Sequence, residues 1–361
     1  MADSHPWQFK ARFRRHAFGW KSQPAVQRVR EATTEIRKAA RRDPVLAAEG
    51  AVTLLERLSP ALEHVDSSSG AIGTAVNHAI GEIVPIIADA PADAATREAW
   101  LERLWAAFEA DQVPYIESLG DYWGELCASK PVASLWADRL IELTRLALGP
   151  DKAVRGHFHG TSACLSALHF AGRHAEILDL LQADVIWPYK RWAVKALAAL
   201  GRRAEAIRYA ESCRGPWTVD TEVDLECEAI LLSSGTTEEA YERYGLQANH
   251  GATYLATFRA VARKYPHKAP REILVDLAKA TPGDEASGSP PPRRRGSTKT
   301  PSPSRAGRPA TRRPSPAPRG TSRTSNPPSP PAPACWPSTG SRRATATRSR
   351  APTSGQPTRA R

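Results

Sequence analysis

Apolar positions along this chain recur every three to four residues in block after block, with breaks of glycine, proline and capping side chains between. The clearest case is the stretch WPYKRWAVKALAALGRRAEAIRYAESC, from Trp187 to Cys213. Trp192, Ala193, Ala196, Leu197 and Leu200 share a helical face before Gly201. Ala204, Ile207 and Ala210, with Tyr209 at the edge, share another after it. Alanine on both stripes permits close ridge-into-groove packing, and Gly201 supplies the open backbone that ends the first helix. The pattern predicts a helical hairpin. One hairpin cannot bury its own apolar faces, so neighbours must stack on it.

Upstream, helical patterns follow one another from Gln23 to Leu148. Asp43-Pro44 is a cap followed by proline at the first helical position, opening a helix through Leu58. Ser67 to Gly70 reads as a turn ahead of a helix over 71–89. Pro91 and Asp93 open the next, Ala94 to Ala110, where Trp100, Leu101, Leu104, Trp105 and Phe108 form a wide apolar stripe. Two more are predicted, Tyr115 to Cys127 and Pro131 to Leu148. No alternating run bounded by turn signals argues for a sheet. The expected class is all-α.

The second half repeats. Gly172, Gly201 and Gly235 each end one apolar block and begin another, at spacings of 29 and 34 residues. A glutamate follows each at the fourth position (Glu176, Glu205, Glu239), an apolar or small residue at the fifth (Ile177, Ala206, Ala240) and a large one at the sixth (Leu178, Ile207, Tyr241). A fourth hairpin is predicted from Thr253–Lys264 and Pro270–Ala280. The pattern A-L-x-x-L-G-x-x-x-E-A-I resembles the hairpins of tetratricopeptide-like repeats over Phe158 to about Ala280. The resemblance implies antiparallel helix pairs stacked into a right-handed solenoid that binds partners on a concave face, with no chemistry of its own.

Charge and composition change the picture only at the ends. The net charge of +12 falls to −4 for residues 1–285 once the sixteen cationic residues of 286–361, a segment without acids, are set aside. That segment contains no Leu, Ile, Val, Met, Phe or Tyr, so it cannot bury enough apolar surface to fold and is expected to be disordered. All but three of its 76 residues (Lys299, Asn326, Gln356) have codons with G or C at the second base. A GC-rich gene read out of frame produces that bias. Read one base late, the stretch from Gly296 back-translates compatibly to Gly-Leu-Tyr-Glu-Asp-Ala-Leu-Ala-Leu, in phase with the upstream repeats. The tail is therefore expected to be a frameshifted reading of further hairpins. At the other end, residues 1–22 interleave Trp7, Phe9, Phe13, Phe18 and Trp20 with Lys10, Arg12, Arg14, Arg15 and Lys21. Such an arm either grips phosphates and stacks on bases or docks its aromatics on the first helices. The expected divisions are this arm, a helical region at 23–150, repeats at 151–285 and the tail at 286–361.

Candidate chemistry is sparse. There is no leader-like apolar run, no 18-residue apolar span and no Cys-x-x-Cys among Cys127, Cys164, Cys213 and Cys227, which suggests a reduced cytoplasmic protein and no membrane. The string Gly156-His157-Phe158-His159-Gly160-Thr161-Ser162-Ala163-Cys164 lacks the further ligand spacing a metal site wants and the Gly-x-Ser-x-Gly of a serine nucleophile. Thr161 or Ser162 capping a helix is the simpler reading. The densest aromatic and basic cluster is Trp187, Tyr189, Lys190, Arg191 and Trp192, with Arg202 and Arg203 at the following turn. Arginine forks carboxylates and tryptophan supplies anchoring area, so this cluster is the expected site for a protein or peptide partner. The expected function is a non-catalytic interaction scaffold, without cofactor. The alternatives are a nucleic-acid-associated protein using the arm, with the tail adding non-specific affinity, and a hydrolase or metalloenzyme built on His157, His159 and Cys164.

Overall fold

A computed structural model describes residues 6–149, 156–182, 185–216 and 218–280; the expectations placed on the tail at 286–361 lie outside the described residues. Among the described residues there is no strand. The helices are α1 (Gln8–Arg12), α2 (Ser22–Ala40), α3 (Pro44–Leu62), α4 (Ala71–Ala88), α5 (Ala94–Glu109), α6 (Trp123–Leu126), α7 (Lys130–Leu148), α8 (Thr161–Ala171) and α9 (His174–Leu180). They continue as α10 (Trp187–Ala199), α11 (Arg203–Ser212), α12 (Asp220–Ser233), α13 (Thr237–Ala240), α14 (Leu246–Ala248), α15 (Tyr254–Lys264) and α16 (Pro270–Ala280). The fold is all-α.

Local chemistry sets the helix starts. Asp43 accepts from the Leu46 N–H at 2.9 Å with Pro44 at the first helical position, Asp93 from Thr96 at 2.8 Å, and Thr253 from Ala256 at 3.1 Å. α3 runs a turn beyond Leu58 and carries Pro60 inside it, because Leu58, Ala61 and Leu62 are all buried and hold the turn in place. The helix expected over 115–127 is a 3₁₀ turn, Glu117–Tyr122, running into the short α6. The reason is α8, which crosses so closely that a side chain on Gly124 would strike the Ser166 carbonyl. The Ser166 hydroxyl accepts from the Gly124 N–H at 3.0 Å and donates to the Asp121 carbonyl at 2.8 Å, replacing bonds a longer helix would make.

The repeat register is expressed in three dimensions. Gly172, Gly201 and Gly235 have φ of +83°, +79° and +78°, the left-handed region in which a side chain is strained. Beyond each, the fifth position (Ile177, Ala206, Ala240) is fully buried. At the first two turns an arginine right after the glycine forks the glutamate: Arg173 to Glu176 with both bonds at 2.6 Å, Arg202 to Glu205 at 2.8 and 2.6 Å. The third turn has Thr236 there instead, and Glu239 pairs with Arg243.

Two apolar cores meet at α10. The first runs from Trp7 to Ala196 and continues across the division expected at 150/151. At its centre Trp105, Trp123 and Trp136 pack with ring centroids 5.0–5.5 Å apart. The second runs from Trp187 through α11, α12 and the Thr237–Ala248 segment to Leu277, where a π turn at Tyr241–Gly245 brings both Tyr241 and Tyr244 inward. The N-terminal arm belongs to the first core: Trp7, Phe9 and Phe13 are buried, Phe18 packs against them, and only Trp20 is outside at 72 % exposure. One helix among the described residues, α4, is long and apolar enough to cross a membrane; Ile72, Val76, Ile80, Ile83, Val84 and Ile87 on it are buried in the first core.

Ala206 tests the stacking. It has no exposed surface and shares its cluster with Val223 and Cys227 of α12. Ala206→Arg forces a charge and several methylenes into that contact and is expected to cost about 3 kcal/mol or more. Chemical denaturation is the measurement; a loss below about 0.5 kcal/mol would show that this face of α11 is not packed.

Candidate functional site

The cluster expected to bind a partner is divided by the fold. Trp187 and Trp192 are both buried, Trp187 in the second core and Trp192 in the first. Their indole N–H groups have no acceptor among the described residues. Tyr189 and Lys190 are half-buried, and burial pushes the Tyr189 phenol up, with Glu117 and Asp121 adding to the effect. Arg191 reaches across to Asp121 at 2.5 Å, tying the start of α10 to the 3₁₀ turn. Arg202 and Arg203 are exposed, but they stand beyond Gly201, at the other end of α10. From Lys190 to the last residue of α10, Ala199, the helix rises about 14 Å before the chain turns at Gly201. The structure therefore brings Trp187–Trp192 together with the 3₁₀ turn and not with Arg202 and Arg203. The length of α10 explains the split, since residues 187–192 open that helix while Arg202 and Arg203 lie past its far end, at the start of α11.

The groups the segment at 156–164 contributes also separate. Cys164 is fully buried, its Sγ directed at the Ala137 carbonyl, and burial pushes its thiol up to about 11. Cys127 is likewise buried and pushed up to about 12. Neither thiol is a ready nucleophile or ligand. Thr161 does not cap α8; its hydroxyl donates to the Phe158 carbonyl at 2.8 Å, and Gly160 is the capping position. Phe158 turns inward, so close to Gly160 that a side chain there would meet its ring at 2.6 Å. His157 and His159 both come near Glu117, a residue the sequence offered no reason to single out.

Beside Trp192 lies a histidine pair that sequence reading also missed. His169 has its ring 5.8 Å from Trp192 and 5.0 Å from His174, with Lys195 over the same indole at 4.8 Å. Its Nδ1 is buried without a hydrogen-bond partner among the described residues. Desolvation first, then His174 and Lys195, push it down to about 4.

An almost wholly apolar surface lies elsewhere, on the last pair of helices. Tyr254, Leu255 and Phe258 of α15 and Leu274, Leu277 and Ala278 of α16 line one open groove. Tyr254, Leu255 and Leu274 are 64 %, 55 % and 54 % exposed. In the sequence these residues look like an ordinary helix stripe; what marks Tyr254, Leu255 and Leu274 is their exposure, while Leu277 and Phe258 beside them pack into the second core. Compared with known families, characterised proteins and solved structures, the chain matches no family model, no curated protein and no solved structure.

The His169 environment gives a pH dependence. Its folded value lies below its unfolded one near 6.5, so above that pH the group is neutral in both states and neutral to stability. As pH falls from 6.5 towards 4 the unfolded chain takes up a proton that the folded chain refuses, and stability is lost. Discounted for partial solvation, the loss is on the order of 2 kcal/mol. Denaturation at stepped pH is expected to show this slope in the native chain and a flatter one in His169→Leu, with the remainder carried by His174, which is also pushed down, by burial and then Lys130.

Proposed function

We propose that this chain is a non-catalytic protein–protein interaction scaffold of the reduced cytoplasm, built of helical hairpins stacked in the manner of a tetratricopeptide-like solenoid. The observation that carries this reading is the apolar groove on α15 and α16, where Tyr254, Leu255 and Leu274 are left exposed by the described elements. In the hairpins before it, the equivalent faces are spent on the next element: Ala206, Ile207 and Ala210 share a cluster with Val223 and Cys227, and Ala240, Tyr241 and Tyr244 with Val261, Tyr265 and Ile273. The last pair presents the same kind of face to solvent. Soluble proteins rarely leave a contiguous apolar patch of this kind without an occupant.

The occupant we assign is a further helical hairpin with an Ala/Leu stripe and acidic flanks. Helix geometry asks for the stripe, because the groove is apolar and two helices wide. Charge asks for the flanks: exposed Arg259, one turn from Leu255, and exposed Arg271, one turn from Leu274, border the groove. The alternative-frame reading beyond 286, Gly-Leu-Tyr-Glu-Asp-Ala-Leu-Ala-Leu, has this chemistry. The predicted partner cluster at Trp187–Trp192 does not support the reading as well, because its aromatic anchors are in the two cores. The nucleic-acid alternative is weakened in the same way, since Trp7, Phe9 and Phe13 are buried and unavailable for stacking on bases.

The test compares the chain as it stands with one whose codons from 286 onward are read in the alternative frame. The restored chain is expected to melt several degrees higher and to bind less of an apolar-surface dye. Leu255→Glu with Leu274→Glu is expected to remove most of that gain while leaving helical circular dichroism intact. Equal melting temperatures would sink the assignment. So would concentration-dependent dimers of the original chain that Leu255→Glu abolishes, since the face would then belong to a second copy.

A further inference from the structure

We propose that Glu117, His157 and His159 form a binding site for a zinc-class divalent transition-metal ion, with a fourth coordination position open to water. The site stands apart from the groove on α15 and α16 and does not depend on it.

The local fold builds the cluster. Glu117 is the first residue of the 3₁₀ turn that leads into α6. His157 and His159 flank Phe158, which packs on the first core and lies over Gly160, and both imidazoles reach the neighbourhood of Glu117. The loop is fixed by both the backbone and the side chain of Thr161, whose N–H and hydroxyl donate to the Phe158 carbonyl at 3.0 and 2.8 Å. One ligand atom from each of Glu117, His157 and His159 then lies within 4.8 Å of the other two. Around a tetrahedral zinc ion such atoms stand about 3.4 Å apart. Glu117 and His157 are exposed, so small side-chain rotations close the difference without moving backbone.

His159 supplies the independent observation. Its ring lies on Phe108 with centroids 4.0 Å apart, and its Nε2 is buried with no hydrogen-bond partner among the described residues. A buried, unpaired polar nitrogen costs about 1–3 kcal/mol. Ligation through Nε2 offsets that cost, and the tilted ring contact with Phe108 holds the imidazole in one orientation beforehand.

The donor set decides the class of ion. Two imidazoles and one carboxylate suit zinc and its first-row neighbours; magnesium and calcium take oxygen ligands almost exclusively. Three protein ligands on a partly exposed rim leave room for water. Cys164, the soft ligand that the sequence placed beside this string, is outside the cluster and stays a buried thiol.

The experiment uses the full chain stripped of metal with a chelator and titrated with Co²⁺ followed by Zn²⁺. The expected result is saturation at one equivalent, visible bands of a four- or five-coordinate ion, and their loss as zinc displaces cobalt. His157→Ala and Glu117→Ala are each expected to weaken binding more than about tenfold with the circular dichroism unchanged. Cys164→Ser is expected to leave the affinity as it was. Unchanged affinity in either His157→Ala or Glu117→Ala would overturn the site, as would binding of several equivalents without saturation or dependence on Cys164.

Discussion

Helix α10 has to satisfy two cores at once, and the rest of the described chain is arranged around that demand. Trp192, Ala193 and Ala196 face the first core; Trp187, Val194 and Leu197 face the second. A helix apolar on most of its circumference is stable only with packing on both sides. Its alanines let the neighbouring helices come close, while the two tryptophans fill the wider gaps at its start. Arg191 then pins that start to Asp121, so the orientation of the second set of hairpins is tied to the 3₁₀ turn of the first half. The predicted partner cluster contains the two tryptophans by which α10 joins the two cores. Burial decides which role the tryptophans play.

What makes the hairpins repeat is a small device at each turn. A glycine in the left-handed region ends one helix at all three turns, and at the first two the arginine after it forks the glutamate in the first turn of the next helix. At the first turn the device reaches further. Arg173, besides forking Glu176, bonds to Asp138 at 2.5 Å and to the Ser134 hydroxyl at 3.1 Å, so it joins α9 to α7 as well. At the second turn Arg202 and Glu205 remain exposed, and there the fork orders the turn without crossing to another helix.

Periodicity and turn chemistry were enough to read the helices, the glycine turns and the buried fifth position from the sequence. Where reading went astray, a contact between distant residues was responsible. α8 pressing on Gly124 shortens the helix expected at 115–127, and burial of Leu62 carries α3 through Pro60. The sites were less legible. Glu117 lies some forty residues from His157 and His159, and nothing local marks it as their neighbour. The exposed groove on α15 and α16 is invisible in the same way, because a stripe that faces solvent and a stripe that faces a neighbour are written with the same residues.

The second core also differs from the first in how it fixes its register. Small residues let hairpins slide past one another, since one alanine stripe fits a groove much as another does. Glu228 removes that freedom. It is fully buried on α12 and takes hydrogen bonds from the Tyr265 hydroxyl at 2.5 Å and the Asn249 amide at 2.7 Å, with Lys264 as its ion-pair partner. All three donors come from the chain after α14. A shift of α15 by one turn would leave a carboxylate buried without them, at about 3–5 kcal/mol for losing the cation alone. Tyr265 is held from the other side by its ring against Tyr241, centroids 5.2 Å apart, and the Tyr241 hydroxyl donates to Asp276 at 2.9 Å. One carboxylate thus sets α15 against α12, and one tyrosine pair carries that setting to α16. The apolar groove on α15 and α16 is consequently a defined surface: its two helices are locked in register by polar contacts on their inner side, which leaves the outer side free to be matched by shape.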